Sequence, residues 1–377
     1  MKAVKRIIWV LLAAVLIAGS LAACGSKASS GSDAAATGGG TDGDKDFYAQ
    51  ENTIRLSSPE GQVRTALNIL AKELGYYDEE GVNVELVNIT GTDALAAISS
   101  GSNDIDALAT GIIPDLVFAA QGSDIVVFAG TATEGSAIIA RADDVERFKD
   151  ITPENYENIT ISTQRNSTSW ITMRGVFKEM GIDVDTITVK EIDSQVDVAQ
   201  AVVKGEADLG FLPTEYANAT RELGVEIVYE TGELKPNYVC CRQVSSAAKL
   251  QEKRSAFVAF EIANLRTWEF YQDEANRDVV ISTLAKQSGQ TEDYVNEYLF
   301  VNRTKLDQNP NEAGVKDTYE YLKQASVIDE DCDAIDNHID LSIFEEALST
   351  LLEREPENEF YQQLLTAYRE QNPSATI

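Results

Sequence analysis

The sequence predicts an α/β protein of two lobes, each built on a mostly parallel sheet. Three observations predict it. Short β-rich runs alternate with amphipathic helical stretches, two such groups follow one another with the same rhythm, and 377 residues are more than a single core of ordinary size fills. The shared rhythm shows best at the turns: Ser99-Ser100-Gly101-Ser102-Asn103-Asp104-Ile105-Asp106 in the first group matches Val203-Lys204-Gly205-Glu206-Ala207-Asp208-Leu209-Gly210 in the second.

In chain order, Lys2, Lys5 and Arg6 precede an apolar run, Ile7 to Ala18, that is shorter than a free-standing membrane span. Leu21-Ala22-Ala23-Cys24 then resembles a bacterial lipobox, which implies cleavage after Ala23 and a lipid-modified Cys24, with residues 1–23 as a signal peptide. A retained transmembrane anchor is the other reading; both put the body outside the cytoplasmic membrane. Residues 24–46 carry no large apolar side chain beyond the cysteine and cannot offset the entropy of ordering, so they read as a flexible tether. Two acyl chains at Cys24 would give the anchoring that one cannot.

The body begins with the strand Thr53-Ile54-Arg55-Leu56 and the loop Ser57-Ser58-Pro59-Glu60-Gly61. Val63 to Leu74 places Ala66, Leu67, Leu70, Ala71 and Leu74 on one helical face, and Val82 to Val87 alternates as a strand. Thr92 to Ser100 and Ile112 to Gln121 read as helices, Ile105 to Ala109 and Ile125 to Phe128 as strands. The chain leaves the first lobe near Gly135 to Arg141. The second lobe runs through the strand Ile159 to Ser162, the helix Trp170 to Met180, the strand Thr186 to Glu191, the helix Val196 to Lys204 and the strands Ala207 to Phe211 and Val225 to Tyr229. Tyr238 to Gln243 carries the chain back, and helices follow at Ala256 to Tyr271, Val279 to Lys286, Thr291 to Tyr298, Glu312 to Gln324, Ser342 to Leu352 and Asn358 to Glu370. The expected lobes are 47–137 with 240–377, and 138–239.

Charge and cysteines narrow the function. The chain has 31 Lys+Arg against 62 Asp+Glu, a formal charge of −31, which argues against a nucleic-acid partner and reads as a solubility device. Cys240, Cys241 and Cys332 form no disulfide framework; neighbours in a strand point to opposite faces, so Cys240 and Cys241 read as small buried thiols. The one histidine, His338, lies in a polar DNHID turn, and no CxxC or paired-histidine motif supports a metal. No cofactor is expected.

From about Asn52 to Phe344 the chain resembles the solute-binding proteins of ABC importers for nitrate, sulfonates, taurine and the pyrimidine precursor of thiamine. The matching pieces are Leu74-Gly75-Tyr76-Tyr77, Glu80-Gly81-Val82-Asn83-Val84-Glu85, Leu108-Ala109-Thr110-Gly111, Val202-Val203-Lys204-Gly205-Glu206-Ala207-Asp208, Leu212-Pro213-Thr214-Glu215-Tyr216 and Asn237-Tyr238-Val239-Cys240-Cys241, in this order. The resemblance implies a type II periplasmic-binding-protein fold: two α/β lobes, two hinge crossings, a helical C-terminal extension, and a ligand held between the lobes. It implies a monomer that hands an unaltered solute to a membrane permease and its ATPase; the chain itself has no GxxxxGK[ST] loop.

Ligands of open α/β sheets lie beyond the carboxyl ends of strands, so the loops there supply the candidates. In the first lobe these are Ser57, Ser58, Glu60, Gly91, Thr92, Asp93, Thr110 and Gly111; in the second, Arg165, Asn166, Ser167, Thr168, Trp170, Asp193, Pro213 and Glu215, with Tyr238 at the crossing. Thr92, Ser169 and Ser194 serve equally as helix caps. Arg165 either clamps an oxyanion or pairs with a surface acid, Trp170 either floors the ligand or fills the core, and Tyr238 is either site or hinge packing. Arg165 and the serines suit a sulfonate- or nitrate-type anion; Glu60 and Glu215 suit a nitrogenous, pyrimidine-like compound. Two other readings stay open: a pyrimidine-precursor synthase, against which stand the lack of a longer cysteine run and of histidine in the ligand loops, and a surface sensor without a permease.

Overall fold

The computed structural model describes residues 52–59, 63–301, 305–332 and 335–377. The expected leader, the tether, Cys24 and the candidate Glu60 lie outside these residues.

Eleven strands are described: β1 (Thr53–Ser57), β2 (Asn83–Val87), β3 (Ala107–Gly111), β4 (Val126–Thr133), β5 (Ser136–Arg141), β6 (Thr160–Thr163), β7 (Thr188–Glu191), β8 (Leu209–Pro213), β9 (Val225–Glu230), β10 (Val239–Ser245) and β11 (Lys305–Asp307). They form two sheets, ordered β11-β4-β10-β3-β1-β2 and β7-β6-β8-β5-β9. The β1, β2 and β3 pairings are parallel, as are those of β6, β7 and β8, because amphipathic helices cross between consecutive strands. Each sheet also accepts one strand from the far side of a crossing. β5 runs antiparallel between β8 and β9, and β10 antiparallel between β3 and β4. This exchange joins two lobes through two crossings, the fold class the sequence predicts.

Differences from the expected elements have physical causes. The stretch Ser136 to Arg141, taken as an exit segment, is a strand, buried along all but its last residue, as its unbroken apolar run allows. β3 starts two residues late because Asp106 is held in the turn, its carboxylate accepting from the Arg55 N–H at 2.9 Å. The helix expected to reach Tyr298 stops at Asn296 and passes into a π turn, Glu297–Val301. His338, expected in a loop, sits in a 3-10 turn with Nδ1 2.7 Å from the Ile125 carbonyl oxygen.

The first-lobe core gathers around the long helix Arg254–Gln272, where Phe260 stacks on Tyr77 with ring centroids 5.3 Å apart and Phe257 meets Phe128 edge-on. A polar seam runs through it. The Tyr77 hydroxyl donates to Asn264 Oδ1 at 2.7 Å, Asn68 donates to Asn264 and Gln243, and Gln243 donates to Gln308 and the Gly130 carbonyl. Buried polar groups are costly to leave without partners, so these bonds favour one seating of β10 and the helices. The helices Ser342–Arg354 and Glu359–Gln371 cover this core, with Phe344 stacked on Tyr368. The second-lobe core is aromatic as well, built from Phe148, Tyr156, Trp170, Phe177 and Phe211.

A further contact joins the lobes beside the crossings. The helix Glu312–Gln324 packs on the helix Thr168–Glu179, and the Tyr321 ring fills the space where Gly175 has no side chain. The Tyr321 hydroxyl donates to Glu179 at 2.7 Å, Arg174 donates to the Gln324 carbonyl at 2.8 Å, and Lys235 pairs with Asp317 at 3.0 Å. A Cβ at position 175 would lie 2.2 Å from Tyr321 Cδ1, so Gly175→Ala forces the helices apart. The variant is expected to lose about 1–3 kcal/mol in denaturant titration; an unchanged midpoint would mean that the helices do not meet there.

Candidate ligand cleft

The site is built where both lobes present charge to the bulged strand β10. In a regular strand Cys240 and Cys241 would face opposite ways. The β10–β4 register, however, pairs Val239 with Thr133 and Cys241 with Ala132, leaving Cys240 as an extra, bulged residue. The two sulfurs consequently lie 3.4 Å apart, Cys240 half-buried and Cys241 fully buried, both as free thiols. This corrects the expectation of divergent thiols.

Arg64, just ahead of the helix Ala66–Glu73, faces this pair from the first lobe. Its guanidinium is held well above its ordinary value by Cys241 first, then by Tyr298, Cys240 and Glu215, against the opposing cost of burial. Glu215 faces it from the second lobe, in the first turn of the helix Thr214–Ala219, with its carboxyl pushed up by burial and pulled back by Arg64. Tyr294 and Tyr298, stacked with centroids 6.3 Å apart, complete the surround.

The thiol pair is polarised. The Cys241 thiol is lowered to about 6, chiefly by the hydrogen bond from Cys240 and further by Arg64 and Arg242, while the same hydrogen bond and burial push Cys240 up. When the pair loses a proton, the charge therefore settles on Cys241 and the remaining proton on Cys240. Beneath it, Asp115 is buried with both carboxyl oxygens unpartnered, and burial, then the charge of Cys241, pushes its carboxyl well above the usual carboxylate range. Arg242 lies fully buried behind, donating to the Pro310, Ala132 and Cys241 carbonyls.

Of the residues expected from sequence, several meet here and others do not. Thr110 stands 3.0 Å from where a Gly91 Cβ would be, and Thr168 Oγ1 stands 3.7 Å from where a Gly111 Cβ would be, so the end of β3 meets the start of a second-lobe helix across the cleft. Ser57 is buried with its hydroxyl donating to the Ile89 carbonyl, and Ser58 is half-buried with its N–H on the Val87 carbonyl. Thr90, not Thr92, caps the helix Gly91–Ser99; its hydroxyl accepts from the Asp93 N–H and donates to the Asp93 carboxylate, and Thr92 is exposed. Arg165 takes the surface reading, an exposed ion pair with Glu191 at 2.8 Å beside the exposed turn residue Asn166. Ser167 caps the next helix in place of Ser169, whereas Ser194 caps as expected. Trp170 belongs to the core, edge-on to Phe211 at 5.1 Å. Asp193 is exposed and its carbonyl accepts from Gln164, and Pro213 leads into the Glu215 helix. Tyr238 is crossing structure: its hydroxyl accepts from Thr231, and its carbonyl accepts from the Thr133 hydroxyl and the Glu134 N–H.

Arg64, Asp115, Tyr294 and Tyr298 were missed. The available signal for Arg64 was a base directly after the first βα loop; nothing local marks the tyrosines, which the fold brings from far along the chain. Cavities of about 520 and 550 Å³, one beside Trp268 and Lys305 and one beside Arg254 and Glu345, are lined by other residues; the cluster of Arg64, Glu215 and the cysteines is the candidate because charge from both lobes converges there. Among the described residues no group of side chains is arranged to hold a metal ion.

Residues 60–271, more than half of the chain, match the family described as ABC transporter, phosphonate, periplasmic substrate-binding protein. The chain belongs to that family. No curated protein matches it. Among solved structures it is similar to the zinc-bound ligand-binding component of an ABC-type import system from Staphylococcus aureus, at 18% identity over 78% of this chain and 99% of that one, with a TM-score of 0.62. It is also similar to the periplasmic aliphatic sulphonate binding protein of Escherichia coli (17% identity, 76% and 92% covered, TM-score 0.58) and the periplasmic nitrate-binding protein of Synechocystis PCC 6803 (13%, 80% and 89%, 0.62). At these identities the structures speak to the fold alone, and it is the periplasmic-binding-protein fold.

Were an anion held here, the charges opposing it would be the Cys240–Cys241 pair and Glu215 and those favouring it Arg64 and Arg242, with the Asp115 carboxyl and the Tyr298 hydroxyl both pushed up by burial. Acidification neutralises the opposing groups first, so anion affinity is expected to rise as pH falls through about 6. In Cys241→Ser, isothermal titration across this range should lose that step and keep only the component from Glu215; a wild-type profile flat through the step would remove the thiolate from the cleft.

Proposed function

We propose that this chain is the extracytoplasmic capture component of an ABC importer and that its ligand is a small solute with an oxyanion at one end and a cationic or hydrogen-bond-donating group at the other, of the aminophosphonate or aminosulfonate type. The feature that carries this reading is that the charges of Arg64 from one lobe and Glu215 from the other act on each other and, through Arg64, on the same strand's cysteines. Arg64 offers the planar donor set that oxyanions accept, and Glu215 with the stacked tyrosines offers the complement for an amine. Membership of a phosphonate-binding family and likeness to sulphonate- and nitrate-binding proteins support the oxyanion end.

Each lobe, 47–137 with 240–377 and 138–239, supplies part of the contact, so only the closed form satisfies the whole ligand and binding shifts the population toward closure. The ligand is held without reaction and passed to a permease driven by an ATPase on another chain. No helix among the described residues is long and apolar enough to cross a membrane. The anchor in this reading is a lipid on Cys24, carried by the lipobox-like Leu21-Ala22-Ala23-Cys24.

Two measurements test this. In a thermal-shift series, 2-aminoethylphosphonate and taurine should raise the melting temperature and be recovered unaltered, while ethanolamine should not. Arg64→Met should weaken binding about 10- to 100-fold, the scale of a charged hydrogen bond, and Glu215→Gln should weaken the amino compounds more than their amine-free analogues. Stabilisation by ethanolamine alone, or full affinity in Arg64→Met, would overturn the assignment. For the anchor, Cys24→Ala should move the protein from the membrane to the soluble fraction; retention in the membrane would overturn the lipid.

A further inference from the structure

We propose that Cys240 and Cys241 form a thiol–disulfide exchange site at the floor of the cleft. Three observations meet here. The β-bulge at Cys240 turns both side chains to one side and leaves the sulfurs 3.4 Å apart. Cys240 is half-buried, so a reagent can reach it, while Cys241 is buried behind it in the position of a resolving thiol. Arg64 draws both thiols toward thiolate, the form that attacks a disulfide; the resting charge lies on Cys241, and the reachable Cys240 acquires it by passing its proton across the 3.4 Å contact. Cys332, on its own, has no such neighbour.

The partner is a disulfide, either of a small thiol or of an oxidoreductase outside the cytoplasm. The shared proton passes to Cys241, and the Cys240 thiolate attacks one sulfur of the partner, forming a mixed disulfide and releasing the first partner thiolate, which takes that proton. The Cys241 thiolate then attacks Cys240 Sγ, closing the Cys240–Cys241 disulfide and releasing the second partner thiolate. Two electrons pass from the cysteine pair to the partner. Adjacent Cα atoms stand about 3.8 Å apart, below the usual separation in disulfides, so the ring is strained and easily reduced again. That reversibility suits a regulatory bond more than a structural one.

The consequence for binding rests on the oxyanion reading given above. The reduced pair places a negative charge against Arg64 and competes with the ligand; the disulfide is neutral and releases the guanidinium. Oxidation should therefore tighten capture of an anion.

The test uses the full-length protein in buffers poised with oxidised glutathione or dithiothreitol. After alkylation and trypsin, Glu222–Arg242 is a single peptide, since Pro236 protects Lys235, and it contains both cysteines. The expected oxidised peptide is unalkylated and two hydrogens lighter, and dithiothreitol restores both labels. Full alkylation after oxidised glutathione, or a glutathione retained on Cys240, overturns the exchange site. Affinity for 2-aminoethylphosphonate is then measured in both states. A several-fold gain on oxidation supports the control of binding, and equal affinity overturns it. If neither state binds, the ligand assignment fails while the peptide mass still decides the exchange site.

Discussion

The strand by which this chain first returns to its first sheet lies inside that sheet, with both of its edges paired. β10 is that strand. It pairs with β3 on one side and β4 on the other, and its side chains divide between two duties. Arg242 and Gln243 point into the first lobe, where each is fully buried and each donates to backbone carbonyls, so the strand cannot slide without stranding a charge or an amide. Cys240 and Cys241 lie on the bulge next to them and face the space between the lobes. The site's position is thus set by the same hydrogen bonds that hold the sheet.

Against a formal charge of −31, one positive group in a recess has disproportionate effect, because the low-dielectric walls of a cleft focus its field while the acidic exterior is screened by salt. Arg64 is such a group. Its neighbours are two thiols and one acid whose charges depend on protonation or oxidation, and Tyr298, whose hydroxyl burial pushes up, so the field around Arg64 is adjustable without any change of fold.

Much of the architecture was legible in the sequence because burial imposes periodicity: the βα units, the return strand and the C-terminal helices all carry an apolar face, and Glu312–Gln324 falls where the pattern puts it. The site was less legible, because contacts made across the cleft leave no local period. Gly111 and Thr168 were found from their places at strand and helix ends and do meet. Arg165 looked able to hold an oxyanion or to pair with a surface acid, and only the neighbourhood of Glu191 decides for the second. Trp170 was ambiguous for a similar reason: an indole reads alike in a core and in a binding floor until Phe211 is seen beside it. The alternation of side chains along a strand correctly separates neighbours in a regular ladder, and it failed at Cys240 because a bulge suspends alternation.

The seating of Tyr321 against Gly175 has a mechanical consequence. Tyr321, Lys235 and Asn237 lie together beside the crossings, so the joint between the lobes is a band instead of a pair of separate threads. A band flexes readily about its own length and resists twist. Any rotation that parted Arg64 from Glu215 would have to turn about this band, with Tyr321 against Gly175 at its margin.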